Sequence, residues 1–461
     1  MKRFRMPTAY TVLFLLLILV AAATWVIPAG SYDHTDLGTP IAGTYHEVEP
    51  SPRGAGDVVL AAFEGFYGAV DVAVFILMVG GFLGVVMKTG AVDAGVANII
   101  RLLGGREKWL IPILMLLFGL GGTTYGMWEE TMAFYPLLIP VFLAAGYDAV
   151  VGISVILLGA GAGVIASTVN PFATGIAAGF AGVSLGEGIV LRLLEWVAFE
   201  AAAIWFVMAY AAKVKKNPSK SVVGVGAGKI QVSMDQQVPF TAKRKVIMAL
   251  FTLTFLIMVY AVVPFDEMGL PLPTLGWWFP ELSALFLVAG VVIGLIDRMS
   301  EEELVEIYVA GCADLLGVAF IIGISRGITV LMNDGSITDT VLHWGEQALS
   351  GAGAISFTLL VFALYLPLTI LIPSSSGLAT LSIPIVAPLG KFAGVGGDLV
   401  VTAFQSASGL VNIITPTAAV LMGALALGHV PYDRWVKYVW KLMLWFLLLA
   451  LAFLVAGVLL G

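Results

Sequence analysis

The sequence predicts an all-α polytopic membrane protein built as an inverted repeat, with two re-entrant helical hairpins and two broken helices. Three observations carry that reading. Of 461 residues, 60% are hydrophobic and 11% charged, against about 25% charged in soluble domains. Many of the apolar runs approach the ~20 residues that cross a bilayer. Second, each half of the chain carries the same series of interruptions. Thr123-Thr-Tyr-Gly-Met-Trp-Glu-Glu130 is followed by Pro136 and Pro140 and then Ser167-Thr-Val-Asn-Pro171. Pro373-Ser-Ser-Ser-Gly377 is followed by Pro384 and Pro388 and then Asn412-Ile-Ile-Thr-Pro416. Lipid tolerates unwound backbone only where it lines a protein cavity, so matched breaks in two halves point to a transporter's binding site. Third, the basic residues fall on one side of the membrane only if the interrupted stretches are re-entrant.

The chain opens with Met1-Lys-Arg-Phe-Arg5 and an apolar run to Ile27. A signal peptide has an apolar region of about 7–15 residues. This run is longer and opens a chain full of spans, so it is expected to stay as the first helix. Full spans are expected near 8–28, 66–88, 149–182, 189–212, 246–264, 281–297, 311–332, 398–428 and 435–459. The stretches 108–146 and 354–394 are each twice the length of one crossing and interrupted in the middle. Each is expected to be a hairpin of two half-length helices meeting at a polar tip.

Lysine and arginine placement supports this. Lys2, Arg3 and Arg5 precede the first span, and Lys88, Arg101, Arg106 and Lys108 follow the second. The central loop holds Lys213, Lys215, Lys216, Lys220, Lys229, Lys243, Arg244 and Lys245. Arg298 follows the sixth span, and Arg434, Lys437 and Lys441 begin the last. With re-entrant hairpins all of these share one side, which the positive-inside rule makes cytoplasmic. The N-terminus is then cytoplasmic and the protein a multi-pass component of the cell membrane. Arg53, Arg192 and Lys391 fall outside, and Arg326 lies mid-span.

The same assignment makes the halves antiparallel: residues 1–212 form the first repeat and 265–461 the second. The lysine-, serine- and glycine-rich segment 213–245 reads as a cytoplasmic linker, and 246–264 as an adaptor helix. Segments 91–104 and 336–350 suit short helices lying along the membrane surface. The net charge of −7 says little about partners. The single Cys312 excludes an internal disulfide, and the four histidines fit no metal-ligand spacing.

Gly126-Met-Trp-Glu-Glu130, Ser167-Thr-Val-Asn-Pro-Phe-Ala-Thr174, Pro373-Ser-Ser-Ser-Gly377 and Ser408-Gly-Leu-Val-Asn-Ile-Ile-Thr-Pro-Thr417 resemble the ion transporter superfamily. Within it the resemblance is to the anaerobic C4-dicarboxylate carrier family and its YfcC-type branch of candidate basic amino-acid antiporters, over nearly the whole chain. The resemblance implies a homodimer with a fixed scaffold domain and a mobile transport domain of hairpins and broken helices, moving in an elevator fashion. The superfamily often carries Ser-Asn-Thr at its hairpin tips. Here the second tip is Ser374-Ser-Ser376 and the first has Trp128-Glu-Glu130 instead.

The breaks have a chemistry of their own. Unwound backbone frees carbonyls for a cation and leaves helix N-termini that favour an anion. The expected substrate-binding residues are Glu129, Glu130, Thr168, Asn170, Ser374, Ser375, Ser376, Asn412, Thr415, Thr417 and Arg326. Ser167, Asn170, Ser375, Asn412 and Thr415 offer hard oxygens for a coupling sodium; a proton is the other candidate, and no further cofactor is expected. Serine and threonine in membrane helices also bond back to their own helix or join neighbours. An intramembrane carboxylate is costly unless paired, protonated or hydrated, so one of Glu129 and Glu130 is expected to meet substrate or a proton while the other supports the tip. Arg326 either pairs with a glutamate or clamps a substrate carboxylate. Asp71 and Asp314 read as structural. Trp128, Phe134 and Tyr135 either wall the cavity or simply pack.

The expected function is secondary transport of a small organic ion, driven by sodium, protons or exchange. Two carboxylates at one tip repel a dianion and attract an ammonium or guanidinium group, so the expectation leans to a basic or zwitterionic amino acid such as arginine or ornithine. A C4-dicarboxylate is the alternative. An intramembrane enzyme lacks a catalytic constellation, a channel needs no paired hairpins, and no Walker motif points to direct use of ATP. The expected partners are the substrate, the lipid bilayer and a second copy of the chain; no nucleic acid is expected.

Overall fold

A computed structural model of the chain describes residues 9–35, 40–92, 94, 95, 98, 106–124, 126–184, 186–223, 239–262, 265 and 271–460. Most of the expected surface segment 91–104 lies outside the described residues, as do linker residues 224–238, Tyr125, and the basic residues Lys2, Arg3, Arg5, Arg101 and Lys229. Five helices among those described are long and apolar enough to cross a membrane: Val70–Lys88, Phe279–Asp297, Glu301–Asp334, Ala354–Leu371 and Tyr432–Leu460. Large apolar side chains stand exposed on the outer helices, Leu19, Leu194, Leu256, Val309 and Leu448 among them. Such a surface suits lipid, where backbone polar groups must be satisfied within helices. The protein is a multi-pass, helical membrane protein.

Helices α1 (Ala9–Ala23), α2 (Ala55–Tyr67), α3 (Val70–Lys88), α9 (Ala242–Val262), α10 (Phe279–Asp297) and α11 (Glu301–Asp334) form one body. At about 1.5 Å rise per residue the 34 residues of α11 reach well past the ~30 Å hydrocarbon layer. Its first turn is Glu301, Glu302 and Glu303, capped by the Ser300 hydroxyl accepting from the Glu303 amide at 3.2 Å. Acidic residues suit a helix N-terminus, which explains why hydropathy alone finds only 311–332. Helix α2 was not expected. Its polar Asp57 and Glu64 mask it in a hydropathy scan, but Val58, Ala61 and Gly65 are buried at helical spacing and pack on α11.

Glycines set how closely these helices cross. A Cβ on Gly65 would lie 2.4 Å from the Gly327 nitrogen, and one on Gly311 would lie 2.3 Å from the Gly80 carbonyl and 3.1 Å from Gly81 Cα. The backbones therefore touch, as small residues allow in membrane helix packing.

The second body contains both hairpins. Helix α4 (Leu110–Thr124) descends to the first tip, and a 3₁₀ turn (Glu129–Phe134) and α5 (Tyr135–Ala144) return from it. Helix α6 (Ala149–Ile165) breaks at 166–170, continues as a π turn (Pro171–Gly175) and ends as α7 (Ile176–Ala181); α8 (Ile189–Lys216) follows. Helix α12 (Thr338–Leu349) follows α11 and leads into the second half of this body. Helices α13 (Ala354–Leu371) and α14 (Ser375–Phe392) make the hairpin, α15 (Gly397–Asn412) and α16 (Ala419–Leu427) flank a break, and α17 (Tyr432–Leu460) closes the chain. Every residue of α6 is buried, so the broken helices occupy the centre. Pro136 and Pro140 lie on α5, and Pro384 and Pro388 on α14: both proline pairs sit on return arms.

One finding departs from the sequence reading. The protein is not wholly α-helical: Gly30–Ser31 pairs antiparallel with His46–Glu47. The Tyr32 amide donates to Asp339 of α12 at 3.0 Å and its phenol to Glu346 at 2.7 Å. Burial, then the Glu346 carboxylate, pushes that phenol above its ordinary pKa. Arg192, which the basic-residue count places on the outer side, is 1% exposed in the first turn of α8, facing the charges of Asp398 and Glu195.

Candidate functional site

The first tip is built onto the first break. Gly126 has φ +81, a left-handed conformation that glycine adopts freely, and its Cα faces the Asn170 side chain so closely that an added Cβ would lie 2.4 Å from Nδ2. Thr123 binds the break directly: its hydroxyl donates to the Ala166 carbonyl at 2.8 Å, and its carbonyl accepts from the Thr168 amide at 2.8 Å and hydroxyl at 2.9 Å. Thr174 donates to Ser167 at 2.7 Å, and Asn170 Oδ1 accepts from the Ala173 amide at 3.3 Å. Buried polar groups need such partners, and here one break supplies them to a tip. Glu130 is buried and accepts from the Trp128 amide at 3.2 Å, while Glu129 is half-buried.

The second tip and break show the same economy. Ser374 caps α14, accepting from the Gly377 amide at 3.2 Å, and lies 3.4 Å from the Ser376 hydroxyl. The Ser375 hydroxyl has no hydrogen bond among the described residues. Carbonyls freed at the break are taken up by α17, with Trp435 Nε1 donating to Ile413 at 3.0 Å and Tyr432 to Ile414 at 2.6 Å. Thr415 and Thr417 hydroxyls are 2.8 Å apart. Gln405 ties the broken helices together, Nε2 donating to the Val164 carbonyl at 2.7 Å, and its buried Oε1 has no partner among the described residues.

Both tips and both breaks open on one cavity of about 200 Å³. Of the expected residues, Glu129, Glu130, Asn170, Ser374, Ser375, Ser376, Asn412, Thr417 and Arg326 line it. Ser167, Thr168 and Thr415 are buried behind the wall, in the hydrogen bonds just described. Sequence reasoning missed two contributors. Asp71, read as structural, lines the cavity, and so does Gln405, whose signal was a lone amide inside an apolar run. Trp128 lines the wall as well, and Asp314 faces a different cavity beside Tyr10 and His429.

The charges are mixed. Asp71, Glu129 and Glu130 are acidic and Arg326 is basic. Arg326 and Asp71 lie close enough for their fields to reach Glu129, which in turn faces Glu130, yet Arg326 makes no ion pair within 4.0 Å among the described residues. The salt bridge from Arg326 to a tip glutamate is therefore not formed. Three helices also begin at the cavity: α3 at Gly68–Val72, α14 at Ser374–Ser376 and α16 at Ala418–Val420. Helix N-termini present amides and a positive dipole end to an anion. The site thus offers a carboxylate-rich wall for a cation and, opposite in character, a guanidinium and amide ends for an anion.

The chain matches several known proteins. The family model described as DcuC, C4-dicarboxylate anaerobic carrier, matches residues 6–459. An uncharacterized protein of Haemophilus influenzae is 36% identical, covering 99% of this chain and 98% of its own. YfcC of Escherichia coli, named as a candidate basic amino acid antiporter, is 31% identical over 95% of this chain and 93% of its own. Among solved structures, the YdaH transporter of Alcanivorax borkumensis matches with TM-score 0.45 and 16% identity, over 96% of this chain and 98% of its own. MtrF of Neisseria gonorrhoeae, described within a class of antimetabolite efflux pumps, matches with TM-score 0.45 and 18% identity, over 97% and 94%.

Proposed function

The chain belongs to the DcuC family of C4-dicarboxylate anaerobic carriers, and on that premise we propose that it is a secondary active transporter of basic or zwitterionic amino acids such as arginine or ornithine. The charge of the cavity wall carries the reading. Three carboxylates against one guanidinium leave an excess that suits a cationic side chain, whereas a dianion would meet repulsion. The substrate's carboxylate is received by Arg326 and the amide ends of α3, α14 and α16, and its cationic end by Glu129. Glu130 supports the tip through the Trp128 amide. At about 200 Å³ the cavity is smaller than the ~300 Å³ at which drug-sized pockets begin, which suits a single small metabolite. The name of the relative YfcC points the same way.

The movement proposed is an elevator. Asp71, Phe279, Ser325 and Arg326 come from the body of α1–α3 and α9–α11, and the tips and breaks from the other, so the cavity lies on the seam across which one body would slide. In this reading the halves 1–212 and 265–461 are inverted repeats, joined through the cytoplasmic linker 213–245 and the adaptor 246–264, and the N-terminus is cytoplasmic. The protein works as a homodimer with α4–α8 and α13–α17 mobile. The contact of Gly65 with Gly327, repeated by Gly311 with Gly81, supports the pseudo-symmetry. The oxygens of Asn170, Ser375 and Asn412 are the candidate ligands if sodium is the coupling ion, and a proton is the other candidate.

A C4-dicarboxylate is the second reading, favoured by Arg326, which makes no ion pair among the described residues, beside three helix N-termini. Uptake by purified protein in liposomes decides between them. Labelled arginine should accumulate and succinate should not, and Glu129→Gln should lose arginine uptake while Glu130→Gln chiefly lowers thermal stability. Succinate uptake without arginine uptake refutes the amino-acid reading.

A further inference from the structure

Behind the first hairpin, α8 carries a carboxyl group that the cavity does not use. Glu200 is 2% exposed, and neither of its carboxyl oxygens has a hydrogen-bond partner among the described residues. It rests on the backbone of α4: a Cβ on Gly119 would lie 2.5 Å from Oε2 and 3.2 Å from the unpartnered Trp196 Nε1. Among the described residues no counter-charge faces it. Helices α4 and α6, both packed on α8, contain no titratable residue. On α17, the third neighbour, Phe446 meets Phe199 at this level, and no titratable residue follows Lys441. The turn Pro218–Lys220 brings Lys220 only to the far end of α8. On α8 itself, Glu195 is turned toward α15, accepting from Ser406 at 2.8 Å, with Arg192 beside it.

An ionised carboxylate placed so, midway along a membrane helix without a donor or cation, is strongly disfavoured, and the neutral acid is the form the site holds. Its position matters for transport. Gly119 lies one turn before Thr123, whose hydroxyl holds the first break at the Ala166 carbonyl. A charge appearing on Glu200 would have to draw in water or displace α4, and the tip and break are anchored to the next turn of that helix.

We propose that Glu200 is a proton-binding site, and that the proton it takes from the aqueous phase is the coupling ion of transport. The bond formed is one O–H on the carboxylate; none breaks within the protein, and release returns the proton to water. Two discrete states of α4 biased by both proton and substrate would supply the coupling. The coupling role rests on the transporter reading of the cavity, whereas proton binding at Glu200 does not.

The test uses the full chain in liposomes, as the parent and as Glu200→Gln and Glu200→Asp. Infrared difference spectra across a pH titration should show a protonated-carboxyl band that Glu200→Gln loses. Glu200→Gln should keep exchange of arginine across a membrane with no gradient but lose accumulation driven by a pH gradient, and Glu200→Asp should restore that accumulation. Succinate is run alongside, so coupling is read on whichever substrate is carried. An unchanged carboxyl band in Glu200→Gln, or undiminished gradient-driven accumulation, overturns the proposal. Loss of exchange together with accumulation in a monodisperse variant assigns Glu200 to packing and overturns it equally. A parent that carries neither substrate defeats the transport reading, and the band still tests the proton site.

Discussion

Gly126→Ala separates backbone strain at the first tip from the contact that builds the site. Gly126, at the tip, and Gly146, just past α5, bracket the return arm and share a left-handed backbone, with φ +81 and +85. An alanine at either costs about 1–2 kcal/mol for that conformation alone. Their surroundings differ. Nothing lies within 4 Å of a Cβ on Gly146, whereas one on Gly126 would stand 2.4 Å from Nδ2 and 2.6 Å from Oδ1 of Asn170. Asn170 would have to move, giving up its 3.3 Å bond from the Ala173 amide and its place on the cavity wall. Losing a buried hydrogen-bond partner costs about 1–3 kcal/mol, a coupling worth roughly 5–150-fold in affinity. Both variants should therefore melt below the parent, but only Gly126→Ala should raise the half-saturating arginine concentration by that factor. Thermal melting with and without arginine, alongside uptake titrations in liposomes, measures the two effects separately. Parental affinity in Gly126→Ala, or equal loss of affinity in Gly146→Ala, would refute the argument that this tip and break form the site together.

The serines of the second tip should divide in the same way. Ser374→Ala removes the N-cap of α14 and should cost about 0.5–2 kcal/mol of stability, whereas Ser375→Ala, with no internal partner to lose, should leave melting unchanged and reduce transport. Membrane sidedness is checked with Cys312→Ser carrying a single cysteine at Ser31 or Ser219. An impermeant thiol reagent on intact cells should label position 31 and spare 219, and labelling of 219 overturns the proposed orientation of the repeats.

How much of this could be read in the chain depends on the range of the interaction that decides it. Membrane residence and a helical chain were legible, because solvation and backbone hydrogen bonding act residue by residue: lipid selects apolar runs, and proline and glycine punctuate them. Helix α2 was not legible, since its short apolar stripe acquires meaning only against α11. Nor could local pattern divide the polar residues of the breaks. Thr168 and Asn170 are two positions apart in one motif, yet Thr168 faces Thr123 while Asn170 faces the cavity. The same limit applies to Glu129 against Glu130 and to Ser374 against Ser375, where neighbours of equal chemistry part according to which way the unwound backbone turns them. Asp71, Gln405 and Glu200 gained their surroundings from helices remote in sequence. Whether a buried polar group has a partner is a property of packing, and it takes the folded chain to supply or withhold one.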